Sequence, residues 1–297
     1  MASLRAIALN ALLRATMKKI WKPDLDVAFM RKSMSAATAL LSMNSVEYSV
    51  LTSPGGSVDR LGADGEKSLT LLYLHGGAFC WHNPSLYRGF ASRLCQSLGA
   101  SAYLPDYRLA PEHPFPAAVN DCIETYRWLL EQPGVEPRRL VIAGDSAGGA
   151  LVLTTLMQAR DQGLPLPACA VAISPLTDAT GSGPSVVENA ERDVLFTPQA
   201  LEVVLQWYLP ESVGPTDPLV SPLLGDLKGF PPLLLQVGET EMLRDDSVRF
   251  ADKIVESGGV AESQVWSDMS HTFQLMHWLP ESQQALQKIA DFVSKHT

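Results

Sequence analysis

The sequence predicts an α/β fold: a mostly parallel central sheet with helices on both faces and a helical cap. Three observations predict it. Short apolar, β-prone runs alternate with helical patterns along most of the chain, as strands joined by crossover helices do. One run, Leu140-Val141-Ile142-Ala143, passes directly into Gly144-x-Ser146-x-Gly148 and then into an Ala/Leu-rich helical pattern. A stretch from Asp178 to about Pro215 breaks the alternation and is too long for an ordinary connection. Ligands in such sheets bind outside the carboxyl ends of the strands, so chemistry is sought in the loops that follow them.

Bulk properties narrow the classes. A chain of 297 residues fits one large α/β domain or two small ones and can bury a substantial core. Hydrophobic content of 46% and charged content of 19% are those of an ordinary globular protein. A net charge of −9 argues against a phosphate-binding surface, so nucleic acid is not an expected partner. Cys80, Cys95, Cys122 and Cys169 show neither C-x-x-C spacing nor a metal-ligand cluster, and read as reduced core residues of a cytoplasmic protein. No apolar run is long enough to cross a membrane. Arg14 interrupts what a secretory signal would need as its apolar segment.

In chain order, residues 1 to about 44 read as two helices separated near Pro23-Asp24. Leu4, Ile7, Ala8, Ala11, Leu12 and Ala15 fall at helical spacing, which reads as an amphipathic helix packed on the body, with a membrane-surface helix as the second reading. Val46 to Leu51 alternates as a strand, Ser53-Pro54-Gly55-Gly56 is a turn, and Gly62-Ala63-Asp64-Gly65 is another. Leu69 to Leu74 is a continuous apolar strand of the buried kind. A helix follows over Ser85 to Leu98, stopped by Gly99, then a strand from Ser101 to Leu104 and a helix from Pro116. Leu140 to Ala143, Cys169 to Ile173, Leu233 to Val237 and Glu262 to Trp266 are the remaining strands, and Pro198 to Leu209 is a helix inside the long excursion. That excursion is expected to leave the core and pack with the N-terminal helices as a lid. The resulting division is 1–45 as N-terminal cap helices, 46–178 and 216–297 as core, and 179–215 as cap insertion.

A serine at such a strand-to-helix turn is a candidate nucleophile. The turn forces one side chain into a strained, exposed position, small residues two places either side let the chain close around it, and a helix N-terminus favours developing negative charge. A nucleophilic serine needs a base, an orienting acid and donors for the oxyanion. In folds that carry this turn the order is serine, acid, histidine, which excludes His75, His82 and His113. His296 is the penultimate residue and His277 lies inside an apolar pattern, whereas His271 directly follows the last strand and is the candidate base. The acid is expected in the loop after Leu233 to Val237, where Glu239, Glu241, Asp245 and Asp246 all qualify and spacing alone does not choose. Acidic residues in a first helical turn are also favoured by the helix dipole alone. Gly76 and Gly77, after strand Leu69 to Leu74, and the Ala147 N–H are the candidate oxyanion donors.

His75-Gly76-Gly77-Ala78-Phe79, the segment from Asp106 to Ala117, and Gly144-Asp145-Ser146-Ala147-Gly148-Gly149 together resemble the hormone-sensitive lipase family of esterases. Asp217 to Pro222 and Met269 to Phe273 are similar to further segments of it, so the resemblance runs from about Leu69 to His271. It implies an α/β-hydrolase core, a helical cap built from the N-terminus and an insertion, and hydrolysis of short- to medium-chain acyl esters through an acyl-enzyme. It implies no cofactor and no metal. It selects Glu241 as the acid, two residues ahead of Leu243-x-Asp245. Asp245 and Asp246 fall a turn later, where the predicted helix carries them away from the rim, and that location fits a solvated, dipole-compensating role. Two departures stand out: Ala78 occupies the place of a third glycine, and Trp81-His82-Asn83-Pro84 replaces a small, glycine-containing continuation. Phe79, Trp81 and His82 are therefore candidate pocket residues. The expected partner is a small-molecule ester, with no stable membrane insertion; a homodimer is compatible with the sequence. Amidase or deacetylase chemistry with the same triad is the alternative, and a non-catalytic small-molecule receptor on the same fold a more distant one.

Overall fold

The computed structural model describes residues 2–22, 24–39, 46–62 and 69–297, so Pro23 and the Ala63-Asp64-Gly65 part of the expected turn lie outside the described residues. The chain opens with helices α1 (Leu4–Thr16) and α2 (Val27–Thr38). Then come β1 (Tyr48–Ser53), β2 (Gly56–Leu61), β3 (Leu69–Leu74), α3 (Pro84–Leu98), β4 (Ala100–Pro105) and α4 (Ala117–Leu130). The second half holds β5 (Leu140–Asp145), α5 (Ala147–Asp161), β6 (Cys169–Ile173), the short α6 (Ser185–Glu188) and α7 (Pro198–Tyr208). It ends with β7 (Leu233–Gly238), α8 (Arg244–Glu256), β8 (Ala261–Trp266) and α9 (Pro280–His296).

Among the described residues eight strands form one sheet in the order β1-β2-β4-β3-β5-β6-β7-β8. From β4 to β8 every pair is parallel, while β1 and β2 form an antiparallel hairpin that adds to β4 antiparallel. Every residue of β5, β6 and β7 is buried, as expected of strands covered on both faces. Strand β2 is absent from the sequence reading, because Asp59 and Arg60 interrupt its apolar signal. Its charges are satisfied from distant elements: Arg88 bonds Asp59 at 2.6 Å, and the Arg60 guanidinium lies over the Tyr103 ring.

Register brings the working ends level. Leu74 pairs with Gly144, Asp145 with Ile173, and Gly238 with Trp266. The residues that follow β3, β5, β6, β7 and β8 therefore gather along one edge of the sheet.

Helix α1 corrects the sequence reading. The periodic apolar positions face solvent, with Leu4 85% and Leu12 60% exposed, and the buried residue of the helix is Ala6. The inner side seats through a small residue and polar contacts: Ser3 N–H on Glu281, and Asn10 Nδ2 on the Asp268 carbonyl.

Candidate active site

Ser146 stands where β5 meets α5, with φ 53° and ψ −120°, a conformation that costs an L-residue energy and persists only where its surroundings impose it. Here they do. A Cβ on Gly144 would lie 2.5 Å from the Gly148 carbonyl oxygen, and one on Gly148 would lie 2.1 Å from that of Leu74, so neither position admits a side chain. The Ser146 N–H donates to the Ile173 carbonyl at 2.7 Å, which ties the turn to the neighbouring strand.

His271 lies five residues beyond the end of β8, and its Nδ1 is 2.7 Å from Glu241 Oε2. Both side chains are buried. Burial disfavours the imidazolium, but the Glu241 charge and hydrogen bond, with Asp193 and Asp145 farther off, outweigh it and leave the His271 pKa above its ordinary 6.5. Glu241 itself is locked at its other oxygen: Oε1 accepts from Ser174 Oγ at 2.7 Å and from the Gly238 N–H. A glutamate reaches one methylene further than an aspartate, and the loop accommodates this by folding the carboxylate back onto the end of its own strand.

Three residues that the sequence reading missed complete this frame. Ser174, at φ 47°, bridges Glu241 and the Thr272 N–H beside His271. Asn189 Nδ2 donates to the carbonyls of Glu239 and Glu241. Buried Asp193 accepts from the Leu195, Phe196 and Met242 N–H groups, fastening the excursion to the acid loop. Ser174 carried a signal, since it directly follows β6 at the active edge. Asn189 and Asp193 carried none.

Asp245 and Asp246, at the start of α8, differ from expectation. Asp245 is half-buried and holds the Ser185 N–H and Arg244. Asp246 is not solvated. It is 1% exposed, accepts from the Thr177 and Asp178 N–H groups, and has its carboxyl pushed up to about 7 by burial.

The glycine loop after β3 requires a further correction. The Gly76 N–H donates to Asp145 Oδ1 at 2.9 Å, so it is not available to an oxyanion. Other bonds hold the loop: Tyr107 Oη donates to the His75 carbonyl, His75 Nδ1 sits 2.7 Å from the Gly76 carbonyl, and the Cys80 and Trp81 N–H groups donate to that of Gly77. Among the described residues none accepts from the N–H groups of Gly77 and Ala78. Ala78 takes φ 54°, so the missing third glycine is replaced by an alanine in the left-handed region. Burial pushes the Asp145 carboxyl up to about 6 despite its bonds from Tyr73 and Gly76.

Ser146 opens into a cavity, partly open to solvent, walled by Phe79, Leu176, Phe196, Leu201, Val204 and Met242. Ala78 and Ala147 line it beside the serine. Phe79 thus lies where expected, but Trp81 and His82 do not. They face a separate groove on the other side of the loop, where Trp81 Nε1 donates to Ser35 and His82 Nδ1 bonds Asp106 at 2.9 Å. Helix α2 and the Asp106 carboxylate hold them there. His75, His82 and Asp106 are close enough to suggest a metal site. However, the two imidazoles stack at 3.8 Å and 5°, so their lone pairs run side by side and do not converge on one ion. Burial and the neighbouring His82 keep the His75 pKa well below its ordinary value.

Comparison with known proteins gives one family. A family model for the alpha/beta hydrolase fold matches residues 71–275. An acetyl-hydrolase of Streptomyces hygroscopicus is 40% identical over 232 residues, which is 77% of this chain and 76% of that protein. An esterase of Acinetobacter venetianus is 32% identical over 287 residues, covering 96% of this chain and 94% of its own. The crystal structure of an esterase from the bacterial hormone-sensitive lipase family is similar at a TM-score of 0.91 and 33% identity, over 100% of this chain and 99% of that one. The resemblance read from the motifs therefore holds across the whole fold, and this chain belongs to the alpha/beta hydrolases, within the bacterial hormone-sensitive lipase family.

Proposed function

We propose that this protein is a serine carboxylesterase that hydrolyses short- to medium-chain acyl esters through an acyl-enzyme. Ser146 Oγ attacks the ester carbonyl as His271 takes its proton, and Glu241 holds the imidazole in the required tautomer and balances its charge. The N–H groups of Gly77, Ala78 and Ala147 receive the oxyanion; as it collapses the ester C–O bond breaks and His271 gives its proton to the departing alcohol, and the neutral imidazole then activates the water that releases the acid. The observation that carries this reading is the buried Glu241–His271 hydrogen bond at 2.7 Å, on the same sheet edge as a serine held in a strained turn.

The apolar cavity supports an acyl tail, and the names of the acetyl-hydrolase and esterase relatives support the short end of the range. Residues 1–45 and 179–215 serve as the cap in this reading. In support, Trp21 Nε1 donates to the Leu195 carbonyl, and its ring lies 5.5 Å from Phe196 of the cavity wall.

Two measurements test the proposal together. A nitrophenyl ester series should show turnover from acetyl upward and a decline beyond medium chains. A fluorophosphonate should stop turnover and leave a single adduct on Ser146 by peptide mass spectrometry. An adduct elsewhere, or turnover surviving the adduct, would overturn the assignment.

A further inference from the structure

Among the described residues the outward face of α1 has no partner, and its charge pattern indicates what would cover it. At 3.6 residues per turn, Leu4, Ile7, Ala8, Ala11, Leu12 and Ala15 occupy one arc of about 140°. All six are exposed, Leu4 at 85% and Ile7 at 55% among them. Arg5 borders that arc on one side and Arg14 on the other. Each guanidinium donates to a backbone carbonyl, Arg5 to Trp278 and Arg14 to Arg192, which holds the side chain at the helix margin without neutralising it. Among the described residues no carboxylate pairs with either.

The charge is lopsided along the chain as well. Arg5, Arg14, Lys18, Lys19 and Lys22 are five of the 23 basic residues, and no acidic residue precedes Asp24, so the rest of the chain carries 18 basic against 32 acidic side chains. A basic, apolar surface on an otherwise acidic protein is complementary to an anionic interface with an apolar interior, and amphipathic helices bind such interfaces in plane. A second copy of the chain suits it less, because stripe-to-stripe contact would bring like arginines together. The position also matters. Lys18 reaches the Ala190 carbonyl and Trp21 that of Leu195, so the segment runs from the stripe to the wall of the Ser146 cavity.

We propose that the outward stripe of α1, framed by Arg5 and Arg14, docks this protein onto an anionic lipid–water interface beside the mouth of the Ser146 cavity. The contact is peripheral: among the described residues no helix is long and apolar enough to cross a membrane.

Co-sedimentation of the full chain with vesicles tests this, and it reads binding whether or not the chain hydrolyses esters. The chain should pellet with equimolar phosphatidylglycerol–phosphatidylcholine vesicles and remain in the supernatant with pure phosphatidylcholine. Binding should weaken as salt rises from about 0.1 M to about 1 M, where the Debye length falls from about 10 Å to about 3 Å. A Leu4→Glu/Ile7→Glu/Leu12→Glu variant should bind at least tenfold more weakly while keeping the native circular dichroism spectrum. Arg5→Gln/Arg14→Gln should bind more weakly at low salt and lose much of the salt dependence. Failure of the native chain to pellet with anionic vesicles would overturn the proposal, as would equal binding by the triple glutamate variant. A dimer in sedimentation velocity that the triple variant abolishes, with no vesicle binding by either protein, would assign the stripe to self-association instead.

Discussion

The site has two sides that are built differently. On the sheet side, Ser146, Glu241 and His271 sit on turns at the ends of β5, β7 and β8, and the contact between the last two is a buried bond from side chain to side chain. On the side of the proposed cap, α1, α2 and the excursion are held in part by side chains at the rim donating to backbone carbonyls: Arg14 to Arg192, Lys18 to Ala190, Arg31 to Cys80. The first kind of contact fixes atoms to within hydrogen-bond geometry. The second fixes where a helix lies and tolerates changes in which residue supplies the carbonyl. Chemistry is therefore expected to depend steeply on single atoms of the sheet side, and chain-length preference on the cap side.

The steepest expected effect is at the nucleophile. Ser146→Ala should lower kcat by about 10⁶, the loss seen when a serine-protease nucleophile is removed, with the circular dichroism spectrum unchanged. Near-native turnover by the folded variant would break the comparison at its base. Glu241→Gln comes next: selecting the wrong tautomer in a serine protease costs about 10⁴ in kcat. Asp245→Asn should cost far less, because Asp245 bonds Ser185 and Arg244 and does not bond His271. The reverse ranking, measured as kcat on one activated ester, would show that the acid is misassigned.

The pH profile sharpens the same point. The base must be neutral to accept a proton, so kcat/KM should climb with pH through a midpoint above 6.5, where the Glu241 charge, against burial, sets the His271 pKa. In Glu241→Gln that charge is gone and burial prevails, so the midpoint should move to lower pH. An unmoved midpoint would mean that another group governs the profile.

A smaller effect is expected at Ser174, which touches the acid and lies outside the proposed triad. One hydrogen bond to a charged group contributes about 1.5–3 kcal/mol, so Ser174→Ala should lower kcat about tenfold or more with KM little changed. A fall in melting temperature with kcat intact would show that its role is only structural. The mildest change belongs to the proposed cap. Trp21→Ala removes the bond to Leu195 and the ring against Phe196. It should leave the shortest ester nearly unaffected and shift the longer-to-shorter kcat/KM ratio about tenfold, the scale of an altered apolar pocket contact. An unchanged ratio would mean that the cap does not bound the acyl site.

The contrast between the two sides is also a contrast in legibility. Most of the sheet side could be read in advance because local pattern encodes it. Buried strands announce themselves as apolar runs, the elbow as a serine between glycines, and His271 by following the last strand. Spacing left Glu241 among four carboxylates, and the family resemblance chose it. Burial decided what spacing could not, placing Asp246 against the Thr177 and Asp178 N–H groups instead of in solvent.

What the chain alone determined, then, is the order of most strands and helices, the tight serine turn, and which serine and histidine are the candidates. These depend on turn chemistry and on periodicities of two and 3.6 residues, which are properties of neighbours in sequence. Only the tertiary structure decided which donors are free and which faces are covered. The Gly76 N–H is committed to a carboxylate 69 residues away, which leaves the proposed oxyanion role to other N–H groups of the loop. The same holds for Trp81 and His82, drawn to another groove by Ser35 and Asp106, and for the α1 stripe, which faces outward because the helix seats through Ala6. Periodicity records that a helix has an apolar face. Which way that face turns is set by the shape of the surface it meets, and that surface is assembled from residues far away in the chain.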